Sequence, residues 1–310
     1  MGDKTGIEWT DATWNPIVGC RVVSPGGTNC YAMRQAARIE TMQPGSHYAG
    51  TVRPSKAGPV WTGKVALAPP HIFSQPLRWR RPRRIFVNSM GDLFHEDVPD
   101  EWIDRVFAVM ALTPQHTFQV LTKRSARMRR YCADPATPRR IYEIACDMAL
   151  DLQLHVVLIA QGADWRLAPA GPRIYLDVWP LPNVWLGVST EDQLRANERV
   201  PDLLATPATV RFVSAEPLIA AINYRRIRIA PDHHTILDAL DGYVVGNSIS
   251  GSGQERTRLD WVIVGGESGP NARPMHVDWA RSIRDQCAAA GVQFMFKQWG
   301  QWTATPADPS

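Results

Sequence analysis

Two cysteines, Cys20 and Cys30, sit on the loop WNPIVGCRVVSPGGTNCY that runs from Trp14 to Tyr31. Thiols on a flexible, glycine-rich loop suit a metal better than a bridge. The chain holds five cysteines, an odd number, and its first residues, MGDKTGIEW, contain no apolar export segment. No run approaches the roughly 18 apolar residues of a membrane span. The cytoplasm is therefore the expected compartment, and its reducing poise disfavours structural disulfides. Cys287 shares an apolar helix stripe with Ile283 and Trp279, which predicts a core role. Cys132 and Cys146 fall in or beside a long insertion.

The other candidates share a position rather than a motif. Asn88, Ser89 and Asp92 follow the run RIFV, and Lys123 and Arg124 follow TFQVLT. Ser189 and Glu191 follow VWLGV, Ser214 and Glu216 follow VRFV, Gly265, Gly266 and Glu267 follow WVIV, and Lys297 and Gln298 follow QFMF. Each run is short and rich in β-branched or aromatic residues, and helix-forming stretches lie between them, the alternation of a parallel α/β fold. Polar groups at so many strand ends predict a full or partial (β/α) TIM-type barrel with its active mouth there. A doubly wound sheet would gather them only near a switch point. Asp92, Lys123, Glu216 and Lys297 are the candidates for catalysis. Lys123 and Arg124 suit a phosphate or carboxylate, because a helix start otherwise disfavours positive charge. Glu216 and Lys297 are expected to be partly desolvated, with shifted pKa values.

The elements that position these groups follow from the pattern. Helices are predicted over about 31–42 and 99–112, a strand is a candidate at 155–159, and Thr190 with Gln193 has capping-box spacing. One domain is expected over 1–302, with insertions at about 132–183 and 220–258, the second forming a hairpin or lid, and a disordered tail at 303–310. With 310 residues, 45% hydrophobic and 21% charged, the composition is that of an ordinary globular protein. A net charge of +4 permits nucleic acid or a phosphorylated substrate as a partner without requiring one. The basic run Arg78–Arg84 resembles a backbone-tracking segment, yet it precedes a strand and so belongs opposite the mouth. His233-His234 lacks the partner spacing of a metal site, and His95-Glu96 is a candidate acid–base pair. No Walker A, nucleophile elbow, H-E-x-x-H or Rossmann fingerprint occurs.

The ordered blocks IEWTDATWNP, GC…SPG…NCYA, NSMGDLF, QVLTKR, VWLGVSTED, VRFVSAEPL, DWVIVGGESG and FKQWG resemble an uncharacterised phage and bacterial family, named after phage gene products thirty-seven and sixty-eight. That family carries a radical-SAM-like cysteine loop, and the resemblance runs through most of the chain. It implies a C-x6-C-x2-C loop with cysteines at the positions of Cys20, Gly27 and Cys30. Three thiolates would hold a 4Fe-4S cluster, whose open iron chelates S-adenosylmethionine for cleavage to a carbon radical. Tyr31 would pack beside the adenine, and Gly265, Gly266 and Glu267 would cradle the methionine amino end or a substrate phosphate. Asn88, Ser89, Ser189 and Ser214 would complete the contacts.

Gly27 supplies no ligand atom. It stands as a natural loss, as an altered residue, or as a place that another side chain fills. The leading expectation is a radical-SAM-like protein, impaired by Gly27, acting with an electron donor on a small-molecule, nucleotide or nucleic-acid substrate. One alternative is an inactive barrel that binds a nucleotide or nucleic acid. Another is a zinc site at Cys20 and Cys30 completed by a distant residue.

Overall fold

The computed structural model describes residues 5, 7–153, 157–159, 173–175, 178–229, 235–245 and 257–302. Seven parallel strands form the central sheet: β1 (Ala12–Trp14), β2 (Arg84–Val87), β3 (Thr117–Thr122), β4 (Val184–Ser189), β5 (Val210–Ala215), β6 (Trp261–Gly265) and β7 (Gln293–Gln298). Their order in space is their order in the chain. No strand reverses the sequence, so there is no switch point, and the sheet curls into a partial barrel. Around it run α1 (Tyr31–Met42), α2 (Asp100–Ala111), α3 (Ser125–Ala133), α4 (Thr137–Asp151), α5 (Gln193–Leu204) and α6 (Val277–Ala290).

Alternation along the strands builds two unlike faces. Ile85, Val87, Phe118, Val120, Val184, Leu186, Val188, Val213, Ala215, Val262 and Val264 belong to the main core, which they share with the helices. The concave face is aromatic: Phe86, Trp185, Phe212 and Trp261 cluster with Leu121, Ile263 and Met295. An open barrel leaves that face to water unless something covers it. Trp9 does so from the N-terminal segment, with ring centroids 4.8 Å from Phe86, 6.0 Å from Trp261 and 6.2 Å from Phe212. Gln119 Nε2 donates to the Trp9 carbonyl at 3.3 Å. Gly187 is part of the same fit, because a Cβ there would lie 2.6 Å from the Phe212 ring.

Several expectations need correction. Strand β1 has no counterpart in the sequence reading; three residues before Asn15-Pro16 are too few for a visible period. The strand expected at 155–159 is Val157–Ile159, which pairs with Arg173–Tyr175 in a separate two-stranded sheet. The cap of α5 is Asp192, whose carboxylate accepts from Arg195 N at 2.8 Å. Thr190 Oγ1 instead shares a 2.7 Å hydrogen bond with the Tyr224 hydroxyl. Within 220–258, Ile227–Arg228, Ile236–Asp238 and Tyr243–Val245 form a three-stranded antiparallel sheet. The tail at 303–310 and His233-His234 lie outside the described residues. The basic run enters β2 at its N-terminal end, with Arg83 stacked 4.7 Å over Trp79 and Arg84 paired with Asp11. Among the described residues no helix is long and apolar enough to cross a membrane.

Burial holds His47, His95 and His116 below the ordinary histidine pKa of 6.5. The unfolded chain therefore takes up more protons than the fold as pH drops past about 6.5, and stability falls there. Urea midpoints measured at pH 7.5 and 5.5 should decrease in that order. A rising midpoint would contradict the buried neutral assignment.

Candidate ligand site at the mouth of the partial barrel

The parity that builds the concave face also aims the site residues. Two positions beyond Phe86 stands Asn88, beyond Leu121 Lys123, beyond Gly187 Ser189, beyond Phe212 Ser214 and then Glu216, beyond Met295 Lys297. All of these line one cavity of about 310 Å³ at the C-terminal ends of the strands. So do Cys20, Cys30, Tyr31, Ser89, Asp92, Arg124, Gly266, Glu267 and Gln298, whereas Gly265, Glu191, His95 and Glu96 do not. Cys20 and Cys30 are half-buried and pack on their other side against the apolar cluster of Val18, Met33, Tyr48 and Trp61.

Much of the polarity at this mouth is already spent on holding the cysteine loop. Asp92 accepts four hydrogen bonds, from Phe94 N, Thr122 Oγ1, Lys123 N and Arg124 Nη1, at 2.6–3.1 Å. Arg124 passes that charge on: Nη1 donates to Cys20 Sγ at 3.5 Å, Nη2 to the Arg21 carbonyl at 3.2 Å, and Nε to Glu96 at 3.3 Å. Glu191, 1% exposed, accepts from Gly26 N at 3.2 Å and from Arg199 Nη1 at 2.9 Å. Glu267 accepts from Asn29 Nδ2 at 3.1 Å and from Arg273 N, Nε and Nη2, while Arg273 Nη2 also donates to the Pro25 carbonyl at 2.8 Å. Burial works against the charged form of both glutamates. Arg199 and Lys123 outweigh it at Glu191, Arg273 at Glu267, and both pKa values are lowered. Thus the carboxylates following β2, β4 and β6 are positioning groups, and Arg124 is committed to Asp92 and Glu96 rather than left for a phosphate.

Three further expectations change in the same way. Asn88 adopts φ 58° and is buried, and in either amide orientation its side chain bonds the Ile17 peptide. Gly266 is glycine because a Cβ would sit 1.9 Å from the Trp299 carbonyl oxygen, and Gly265 makes room for the Glu216 carboxyl group, 3.1 Å from a Cβ built there. Close packing, not a cradle, explains the pair. His95 is fully buried, with Nδ1 accepting from Asp97 N at 3.1 Å, and it does not line the cavity.

What stays available is a smaller set. Lys123 has no hydrogen bond or ion pair from its ammonium group among the described residues. Lys297 Nζ donates to Glu216 Oε1 at 2.6 Å, and Gln298 Nε2 to the same oxygen at 3.3 Å, which leaves Glu216 Oε2 without a partner among the described residues. Tyr31, 51% exposed, donates to the Ser89 carbonyl at 3.2 Å. Ser189 and Ser214 stand side by side in register. Trp9, Phe86 and Trp61 line the same cavity. Trp9 escaped the sequence reading, since nothing around GIEWTD marks a residue that closes a barrel. A second cavity, about 690 Å³, adjoins the first and shares Val23, Lys123 and Arg124 with it.

Replacing Arg124 by Met would strand the buried Asp92 carboxylate, at a cost of about 3–5 kcal/mol. Adding Asp92→Asn to Arg124→Met should recover part of that loss, because the unpaired charge goes with it. Denaturant unfolding of the parent, each single variant and the double variant measures the loss and the coupling. Strict additivity would show that the pair does not act as a unit.

A family model described as a protein of unknown function, DUF5131, matches residues 4–308. Searches among curated proteins and among solved structures gave no significant match. Since the model spans nearly the whole chain, the protein belongs to the DUF5131 family.

Proposed function

We propose that this protein binds a nucleotide-like ligand, an aromatic ring system carrying an anionic group, at the mouth of the partial barrel. One observation carries the reading: Trp9, Phe86 and Trp61 line the same cavity as Lys123, whose ammonium makes no hydrogen bond or close ion pair among the described residues. Aromatic side chains stack on bases at about 1–3 kcal/mol each, and a half-buried cation favours an anion beside it. Glu216, Lys297 and Gln298 supply a mixed acceptor and donor edge for a base or sugar.

The residues present do not fit a three-thiolate iron–sulfur cluster. Cys20 and Cys30 are two donors, Gly27 adds none, and no group of three or more His, Cys, Asp or Glu among the described residues is placed to hold a metal ion. Burial, with the Asp92 carboxylate adding to it, pushes the Cys20 thiol up to about 11, against the pull of Arg124. The thiol is therefore protonated at neutral pH. Radical chemistry on S-adenosylmethionine is not assigned to the chain with Gly27 in place.

Titration with nucleoside monophosphates, followed by tryptophan fluorescence, tests the reading. Lys123→Ala should weaken binding roughly 10- to 100-fold, the value of a charged hydrogen bond. Failure of every nucleotide to bind, or no change with the variant, would sink it.

A second reading rests on the space at Gly27. The three atoms nearest a Cβ built there all belong to Val22, the closest 3.2 Å away, on a side chain that is 38% exposed and free to shift. A Cβ is therefore accommodated there once Val22 gives way slightly. Gly27→Cys, reconstituted with iron and sulfide without oxygen, should gain iron–sulfur absorbance that the parent chain lacks. A parent chain that holds the cluster equally well would reverse the assignment made above.

A further inference from the structure

Resting on the nucleotide-binding reading, we propose that the ligand is a single-stranded oligonucleotide, one nucleotide seated in the mouth and its neighbours' phosphates in the second cavity. The two cavities adjoin at Val23, Lys123 and Arg124, which border both, so a chain seated in the first has the second beside it. The second cavity is charged in a particular way. Its acidic residues each have an arginine partner: Asp100 has Arg127, Glu198 has Arg195, Asp202 has Arg129, and Glu96 shares Arg124 with Asp92. Arg199 is taken by Glu191. Two cations, Lys123 and Arg130, make no side-chain hydrogen bond or close ion pair among the described residues, although the Lys123 charge is felt at Glu191.

Lys123 precedes α3 and Arg130 lies in its last turn, so the two stand towards opposite ends of the helix, whose axis rises about 7.5 Å from Ser125 to Arg130 at 1.5 Å per residue. A phosphodiester chain laid along the cavity meets both. Val22 and Val23, 38% and 41% exposed, place apolar surface beside the junction, where a sugar or base crosses. Cation-lined grooves with aromatic platforms are the general means of holding single strands without reading sequence.

The test compares a nucleoside monophosphate, a nucleoside triphosphate, and single-stranded DNA and RNA hexamers at fixed salt, by fluorescence titration. Either hexamer should bind at least about tenfold more tightly than the monophosphate. Arg130→Glu should remove most of that gain, lower the salt slope by about one, and leave monophosphate affinity unchanged. Arg130→Ala, a milder change at an exposed position, should show the same ordering, with unfolding midpoints checked for both variants. Equal affinity for monophosphate and hexamers, or hexamer binding indifferent to both variants, overturns the proposal. A triphosphate that reproduces the whole gain also overturns it, making the second cavity a polyphosphate site. Loss of all nucleotide binding in the parent chain removes the underlying reading as well, a result distinct from the others.

Discussion

The loop that carries Cys20 and Cys30 is held down by carboxylates, and most of the mouth follows from that. Asp92 reaches it through Arg124, Glu191 directly at Gly26 N, and Glu267 through Asn29 and Arg273. These are buried or half-buried charges, which hold only when their lone pairs and N–H groups are matched. Here the matching is dense: Asp92 and Glu267 each accept four hydrogen bonds. Each carboxylate stands after an alternate strand of the sheet, so the clamp grips the loop at three points around the rim. The concave register delivers the remaining polar groups between those points.

A partial barrel also has to solve a problem that a closed one does not. Its concave face is a strip of Phe86, Trp185, Phe212 and Trp261, and an open sheet would expose it. Closing more strands around it is one solution. This chain places Trp9 there instead, and the Phe212 ring fills the gap left by Gly187. The plug has a functional consequence: it sets the floor of the cavity and makes that floor aromatic. The edge strand β1, only three residues long, offers little unpaired backbone to another chain.

The alternation of strands and helices, the polar strand ends and the position of α1 were legible in the sequence, because each is a local pattern. Which of those polar ends are free was not. Asp92, Glu267 and Lys123 look alike in a linear reading, all polar and all just past an apolar run. Of the three, only Lys123 makes no hydrogen bond or close ion pair from its charged group among the described residues; the others take partners at separations no local pattern marks, Arg124 32 residues from Asp92, and Arg273 six and Asn29 238 residues from Glu267. Gly265-Gly266 misled for a related reason. Glycine pairs that cradle an anion and glycine pairs that admit a neighbouring backbone have the same letters, and the Trp299 carbonyl that decides the matter belongs to the next strand unit. Trp9 had no local signal at all.

The same clamp explains how the loop keeps its shape with glycine at position 27. A loop folded by metal ligation loses its shape with the ligand set, as small metal domains do. This one is fixed by ion pairs and by the packing of Cys20 and Cys30 on the cluster around Trp61, none of which involves residue 27. Gly27 closes a short 3-10 turn, Pro25–Gly27, at ordinary negative φ, so the backbone there does not demand glycine either. A Cβ at this position asks only that the exposed Val22 side chain give way slightly. Loss of a ligand there would abolish cluster chemistry and leave the cavity, its aromatic floor and Lys123 standing, which is the condition under which a binding function outlasts a catalytic one.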